Sequence, residues 1–176
     1  MSMGRVQRRR MMLVAGAGAL AGGAAVLLGS NGTFSSYPHG APLAIGLGEL
    51  PEGKLLTVEW QGLPVWIMRR SPADIAALSA HEEMLTDAAS HQSLQPSYCQ
   101  NRHRSLRPEL FVAVGLCTHQ GCSPALLGAG GFLCPCHASK YDLAGRVFKT
   151  GPAIANLVIP AYRFKAEDKL MLGVDS

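Results

Sequence analysis

The chain has no basic run beyond its first ten residues. Sixteen Lys and Arg face twelve Asp and Glu, but four of the sixteen are Arg5, Arg8, Arg9 and Arg10, so the remaining twelve balance the acids. Phosphate binding needs a concentrated basic surface that releases counterions, and its absence excludes nucleic acid as a partner. There is no internal repeat, which excludes a stacked-repeat architecture. Charge and proline are both missing from Met11 to Gly29, and outside residues 117–136 the only cysteine is Cys99. The length of 176 residues leaves room for one globular head with a real core plus short appendages, since domains commonly run about 100 to 150 residues.

The uncharged run MMLVAGAGALAGGAAVLLG is nineteen residues long. As a helix rising about 1.5 Å per residue it spans roughly 28 Å, enough to cross a bilayer. Arg8, Arg9 and Arg10 precede it directly, so the positive-inside bias puts the N-terminus in the cytoplasm and everything after Ser30 on the far side. The expected location is the bacterial inner (cell) membrane, single-pass, with the head in the periplasm. The R-R-R-M-M-L start and the Gly/Ala-rich core resemble a twin-arginine signal, the route for proteins that fold around a cofactor before export. Small-x-small pairs such as Ala15 and Ala17 would suit cleavage, but Val26-Leu27-Leu28 follows them, so the segment is expected to remain as an anchor.

Residues 1–29 are thus read as signal anchor and transmembrane helix, 30–41 (SNGTFSSYPHGA) as a flexible tether, and 42–176 as the head. Leu43–Leu47, Lys54–Trp60 and Leu63–Arg69 are short branched and aromatic runs separated by P-E-G and Q-G-L turns, which predicts antiparallel strands. Ser71-Pro72-Ala73-Asp74 predicts a helix with Ser71 as N-cap, running through Ile75, Leu78 and Met84. Residues 85–108 form a long polar stretch. A buried strand at 110–115 then leads into the cysteines, and further strand signals fall at 131–134, 146–149, 155–159 and 168–172. The fold class expected is all-β, a small antiparallel β-sandwich or open barrel with one short helix and cysteine loops at one end.

Those loops carry the chemistry. C-T-H-Q-G-C at 117–122 and C-P-C-H-A-S-K-Y-D at 134–142 each offer a cysteine and a histidine two or three residues apart. Two thiolates and two imidazoles suit tetrahedral zinc, as in a zinc ribbon, a periplasmic structural module. Zinc leaves Cys122 and Cys136 unused, whereas in an oxidising compartment two such cysteines can pair and tie the loops together. His39, His81, His91, His103 and Cys99 have no partner at ligand spacing and read as structural or surface residues.

Both boxes, together with Gly151-Pro152-Ala153, resemble the Rieske protein of bacterial quinol-cytochrome c reductases over nearly the whole chain. The resemblance implies a Rieske head with a cluster-binding subdomain at about 116–153 holding one 2Fe-2S cluster. It implies that Cys117 and Cys134 hold the inner iron, that His119 and His137 hold the outer iron, and that Cys122 is bonded to Cys136. Ser139 and Tyr141 fall at positions whose hydroxyls donate to a bridging sulfide and to a cysteine sulfur, and Gly151 and Pro152 belong to the loop over the cluster's third side. The implied function is electron transfer from quinol, with proton coupling through a ligand histidine, to a c-type cytochrome. Cytochrome b and c-type cytochrome subunits would be the partners in a dimeric complex. A Rieske small subunit of an arsenite-oxidase-type molybdenum enzyme is the redox alternative. Three residues depart from the family pattern: Gln120 for Leu, Ala138 for Gly and Ile154 for Pro. If the backbone at 138 needs positive φ, Ala138 is expected to be strained.

Overall fold

The computed structural model describes residues 36–176. The segment read as an anchor lies outside them, as does the first half of the tether, 30–35. Among the described residues no helix is long and apolar enough to cross a membrane.

Among the described residues nine strands form three antiparallel three-stranded sheets around one shared core. In the first, β2 (Leu55–Trp60), β3 (Leu63–Arg69) and β4 (Leu110–Val114) lie in that order. Gln61 and Gly62, with φ of 54° and 74°, join β2 to β3 in a two-residue turn whose positive φ angles match the strand twist. β4 is buried at every position, which is why its sequence LFVAV is continuously apolar rather than alternating. The second sheet runs β1 (Leu43–Gly46), β9 (Lys169–Leu172), β8 (Tyr162–Ala166), and buries Ile45, Tyr162, Leu170 and Leu172. The third is small: β5 (Ala125–Leu126), β6 (Phe132–Leu133) and β7 (Lys140–Tyr141). Trp66 of β3 stacks on Phe132 of β6 at 4.9 Å between ring centroids, which locks this small sheet to the larger one. Gly115 makes room for the stack, since a Cβ there would lie 2.3 Å from the Trp66 ring.

Four expectations need correction. The helix α1 covers only Pro72–Ala77; Ser71 caps it in a capping box with Asp74, as its sequence implies, but it stops at Leu78. There the side chain turns into the core and the carbonyl is taken by Arg146 Nη2, and a separate 3-10 turn follows at Glu82–Met84. Residues 146–149 and 155–159 are not strands. Val147 and Phe148 make single bridges to Tyr141 and Leu85, and Asn156 interrupts the second run with side-chain hydrogen bonds. β8 was not anticipated, although Tyr162, Arg163, Phe164 and Lys165 alternate between the core and solvent. Residues 37–41 belong with the head: Ala161 N donates to Pro38 O, Gly40 N donates to Gly173 O, and Trp60 Nε1 donates to Ala41 O.

The polar stretch at 85–108 is ordered by three buried arginines, Arg70, Arg104 and Arg146, each at most 1% exposed. Arg70 donates to His103 O, Leu143 O and Ser105 Oγ. Arg104 donates to Gln95 Oε1 and, at longer range, to the Ala144 and Gly145 carbonyls. Arg146 binds the Asp142 carboxylate at 2.7 Å and reaches Glu82 at 3.2 Å. Burial lowers the guanidinium pKa of Arg70 and of Arg104 to about 10, far enough above neutrality to keep both charged. Their carbonyl partners fasten the long segment to the turn after β7.

Candidate metal centre

β4 runs through Gly115 and Leu116 into a six-residue loop, Cys117–Cys122, and β6 runs into a second, Cys134–Ser139. The two loops have the same hydrogen bonds. In the first, Gly121 N donates to Cys117 O and Cys117 N to Cys122 O, both at 2.8 Å. In the second, Ala138 N donates to Cys134 O at 3.0 Å and Cys134 N to Ser139 O at 2.8 Å. The fifth residue of each has positive φ, 76° at Gly121 and 58° at Ala138. A repeated backbone turn thus presents one cysteine at its start and one histidine at its tip, twice.

The cysteines face in and the histidines face out. Cys117 and Cys134 are 3% and 1% exposed, while His119 is partly exposed and His137 exposed. The two imidazoles stand edge to face with centroids 4.8 Å apart. Burial, with the neighbouring Cys117 thiol adding to it, holds the Cys134 thiol above its usual range, partly offset by the Cys136 and His137 backbone N–H groups. Two buried thiols and two adjacent imidazoles form a donor set with one soft end and one nitrogen end.

Cys122 and Cys136 are joined by a disulfide, the bonded sulfurs 2.11 Å apart, which ties the end of one loop to the middle of the other. Their sulfurs and that of Cys134 lie within 4.8 Å of one another. A disulfide is not a thiolate donor, so this trio is a staple beside a ligand rather than a three-sulfur site. Cys99 is a free buried thiol against Tyr162 Oη, pushed up to about 11 by burial, and takes no part in the centre. His39, His81 and His91 are exposed, and none of them is near the loops' four donors in the contacts they make.

Two hydroxyls are aimed inward. Tyr141 is buried, and its Oη lies 3.2 Å from Cys117 Sγ, 3.1 Å from Thr118 Oγ1, and accepts from Thr118 N at 3.1 Å. Thr118 Oγ1 donates its own proton to Ala155 O at 2.6 Å, so the Tyr141 proton is left for the sulfur or for Thr118 Oγ1. Ser139, fully buried, accepts from Ala153 N at 3.1 Å, which leaves its hydroxyl proton free to donate. Gly151, at φ 96°, packs directly on this serine, since a Cβ there would lie 2.8 Å from Ser139 Cα. Gly151 and Pro152 therefore sit in a loop closed over the second box.

Sequence reading placed neither Thr118 nor Asn156 at the centre. The first was legible as a hydroxyl between two ligands. Asn156 had no local signal, because its partners lie at residues 87, 90, 93 and 147. Of the departing residues, Gln120 is exposed beside the tip, Ile154 is 80% exposed, and Ala138 does occupy the left-handed region.

The model of the family described as Rieske [2Fe-2S] domain matches residues 43–163. Over 184 aligned residues the chain is 42% identical to the ubiquinol-cytochrome c reductase iron-sulfur subunit of Allochromatium vinosum, covering 96% of this chain and 89% of that one. It is 36% identical to the subunit of the same name from Bradyrhizobium diazoefficiens, with 94% of each covered. A mitochondrial cytochrome b-c1 complex subunit Rieske-1 of Nicotiana tabacum is 40% identical over 76% of this chain; the chain spans about half the length of that relative, 48%.

Proposed function

The chain belongs to the Rieske [2Fe-2S] family, and from that premise we propose that it is the electron-transfer subunit of a cytochrome bc complex, with Cys117, Cys134, His119 and His137 holding its one [2Fe-2S] cluster. The observation that carries the assignment is the sorted donor set: two buried thiols, and two imidazoles 4.8 Å apart on the outer side, His137 exposed and His119 partly so. A single zinc ion would take the same four ligands but would give the inward-aimed Ser139 proton nothing to meet, whereas a cluster's sulfide is an acceptor. In a Rieske centre each imidazole that replaces a thiolate removes a negative charge, so the bound cluster accepts an electron more readily than an all-cysteine one.

The residues of the chain supply the rest. Cys117 and Cys134, both buried, would hold one iron away from water, and the Cys122–Cys136 disulfide ties the two loops together. Tyr141 Oη, 3.2 Å from Cys117 Sγ, and Ser139 Oγ, whose acceptor position Ala153 N fills, would donate to the cluster's sulfurs and stabilise negative charge added there. His137 is the most open of the four ligands. With a cluster bound, the second ring nitrogen of His137, when deprotonated, would be placed to accept the quinol hydroxyl's hydrogen bond and proton, and the cluster would supply the one-electron acceptor between quinol and a c-type cytochrome. Residues 1–29 anchor the subunit as a single span in the inner membrane, the head stands in the periplasm, and cytochrome b and the c-type cytochrome subunit are its neighbours in a dimeric complex. The relatives named as ubiquinol-cytochrome c reductase subunits support this assignment over the molybdenum-enzyme alternative.

The test is low-temperature electron paramagnetic resonance of the dithionite-reduced protein with iron and acid-labile sulfide analysis. A rhombic signal with stoichiometric iron and sulfide is the expected result; a silent sample containing stoichiometric zinc would overturn the assignment.

A further inference from the structure

The loop over the second box, Gly151–Ala155, has little packing of its own. Gly151 and Pro152 are exposed and Ile154 is 80% exposed; only Ala153 is buried. Yet two of its backbone groups set the direction of both inward hydroxyls. Ala153 N occupies Ser139 Oγ as an acceptor, and Ala155 O takes the Thr118 proton, which keeps that proton off Tyr141 Oη and leaves the Tyr141 proton for Cys117 Sγ or Thr118 Oγ1. Something must hold the loop in register.

Asn156 does so. It is 1% exposed, and every polar atom of its side chain is used. Its Oδ1 accepts from Val147 N at 2.8 Å, and its Nδ2 donates to Asp87 O at 2.9 Å and to Ser90 Oγ at 3.2 Å. Its backbone N donates to Ser93 Oγ at 3.2 Å, and Ser93 in turn donates to the Asp87 carboxylate at 2.6 Å. The Asp87 carboxylate also accepts from His91 N and Gln92 N, so the turn that receives Asn156 is itself closed. One residue on, Leu157 N donates to Gly145 O at 2.8 Å. A buried amide with all its bonds made is costly to misplace, which gives the loop a single position.

We infer that Asn156 is a positioning residue for the electron affinity of the centre: it pins the Gly151–Ala155 loop to the Asp87–Ser93 turn, and through Ala153 N and Ala155 O orients the Ser139 and Tyr141 hydroxyls toward the cluster sulfurs. The inference rests on the [2Fe-2S] reading of the site. Asn156 touches neither ligand nor substrate.

The experiment is a redox titration of the full-length protein, followed by electron paramagnetic resonance, on Asn156→Ala in two backgrounds: the unsubstituted chain and Ser139→Ala/Tyr141→Phe. In the first, electron affinity falls about twofold to tenfold, tenfold being about 59 mV, with the rhombic signal retained. In the second, Asn156→Ala lowers it no further, because the groups it orients are gone. Leu170→Ala, a cavity in β9 away from both boxes, lowers thermal stability and leaves the potential in place. If Asn156→Ala fails to load a cluster, Ser93→Ala, which removes the acceptor for Asn156 N and one donor to the Asp87 carboxylate but leaves the Asn156 amide in place, is judged on the same criteria. An unchanged potential in the unsubstituted background, or an equal fall in both, overturns the inference. Absence of the signal from the unsubstituted protein overturns instead the reading on which it rests.

Discussion

At the scale of single residues the centre is a problem in proton bookkeeping. Ser139 and Tyr141 each have one hydroxyl proton, and in each case a neighbour fills an acceptor position, Ala153 N for the first and Thr118 N for the second. Hydrogen bonds to charged groups strengthen when negative charge is added, so removing either hydroxyl should cost on the order of 1.5 kcal/mol, roughly 65 mV, of midpoint potential. A redox titration of Ser139→Ala and Tyr141→Phe should show both falls with the cluster still bound; an unchanged potential in Ser139→Ala refutes that hydrogen bond. Ala138 raises a different residue-scale question. Its φ of 58° lies where a Cβ is strained, and its mate in the first loop, Gly121, is a glycine at φ 76°. The left-handed cost exceeds the extra chain entropy that glycine brings, so Ala138→Gly should stabilise the head by about 0.5–1 kcal/mol in denaturant unfolding.

Elements explain what was legible in the sequence and what was not. The strands at Leu55–Trp60 and Leu63–Arg69 and the cap at Ser71 are local matters of side-chain type and turn chemistry, and sequence reading placed them within a residue or two. The two ligand boxes were legible for the same reason, since each is one closed turn whose donors are fixed by spacing. The stretch at 85–108 was opaque because its order comes from Arg70, Arg104 and Arg146, whose carbonyl partners lie up to 73 residues away. Asp87 belongs to this element. Burial works to raise its pKa, but hydrogen bonds from Ser93, Gln92 N and His91 N, with the charge of Arg104, outweigh that and leave it depressed. A carboxyl depressed on folding binds fewer protons folded than unfolded, so its share of stability is complete above the unfolded value, near pH 4, and disappears as pH falls through the lower folded value. Asp87→Asn should therefore be less stable than the unsubstituted chain at neutral pH, with a flatter fall in Tm on acidification; a parallel fall in the two proteins would remove Asp87 from the acid limb.

For the whole molecule the question is where the head ends and its tether begins. Sequence composition put the boundary at 41/42, because Ser, Gly and Pro without periodicity read as linker. The structure has residues 37–41 on the head: Pro38 is buried, Gly40 pairs with Gly173, and Tyr37 packs against Leu63, Val114 and Val158. Gly173, at φ 85°, permits this approach, since a Cβ there would lie 2.7 Å from Gly40 O. Any tether proposed between anchor and head then shortens to residues 30–36, whose reach is at most about 3.6 Å per residue, or roughly 25 Å. A head that must move between an electron donor and an acceptor would pivot before Tyr37, with its first strand and C-terminal strand carried as one body. Limited proteolysis of the full chain checks this directly. Cleavage should release heads that begin at or before Tyr37, while Tyr37→Ala, which loses about 2 kcal/mol of apolar burial, should open the 37–41 segment and move the cut into it. A cut between Pro38 and Leu43 in the unsubstituted protein would return those residues to the tether and lengthen the arm on which the head swings.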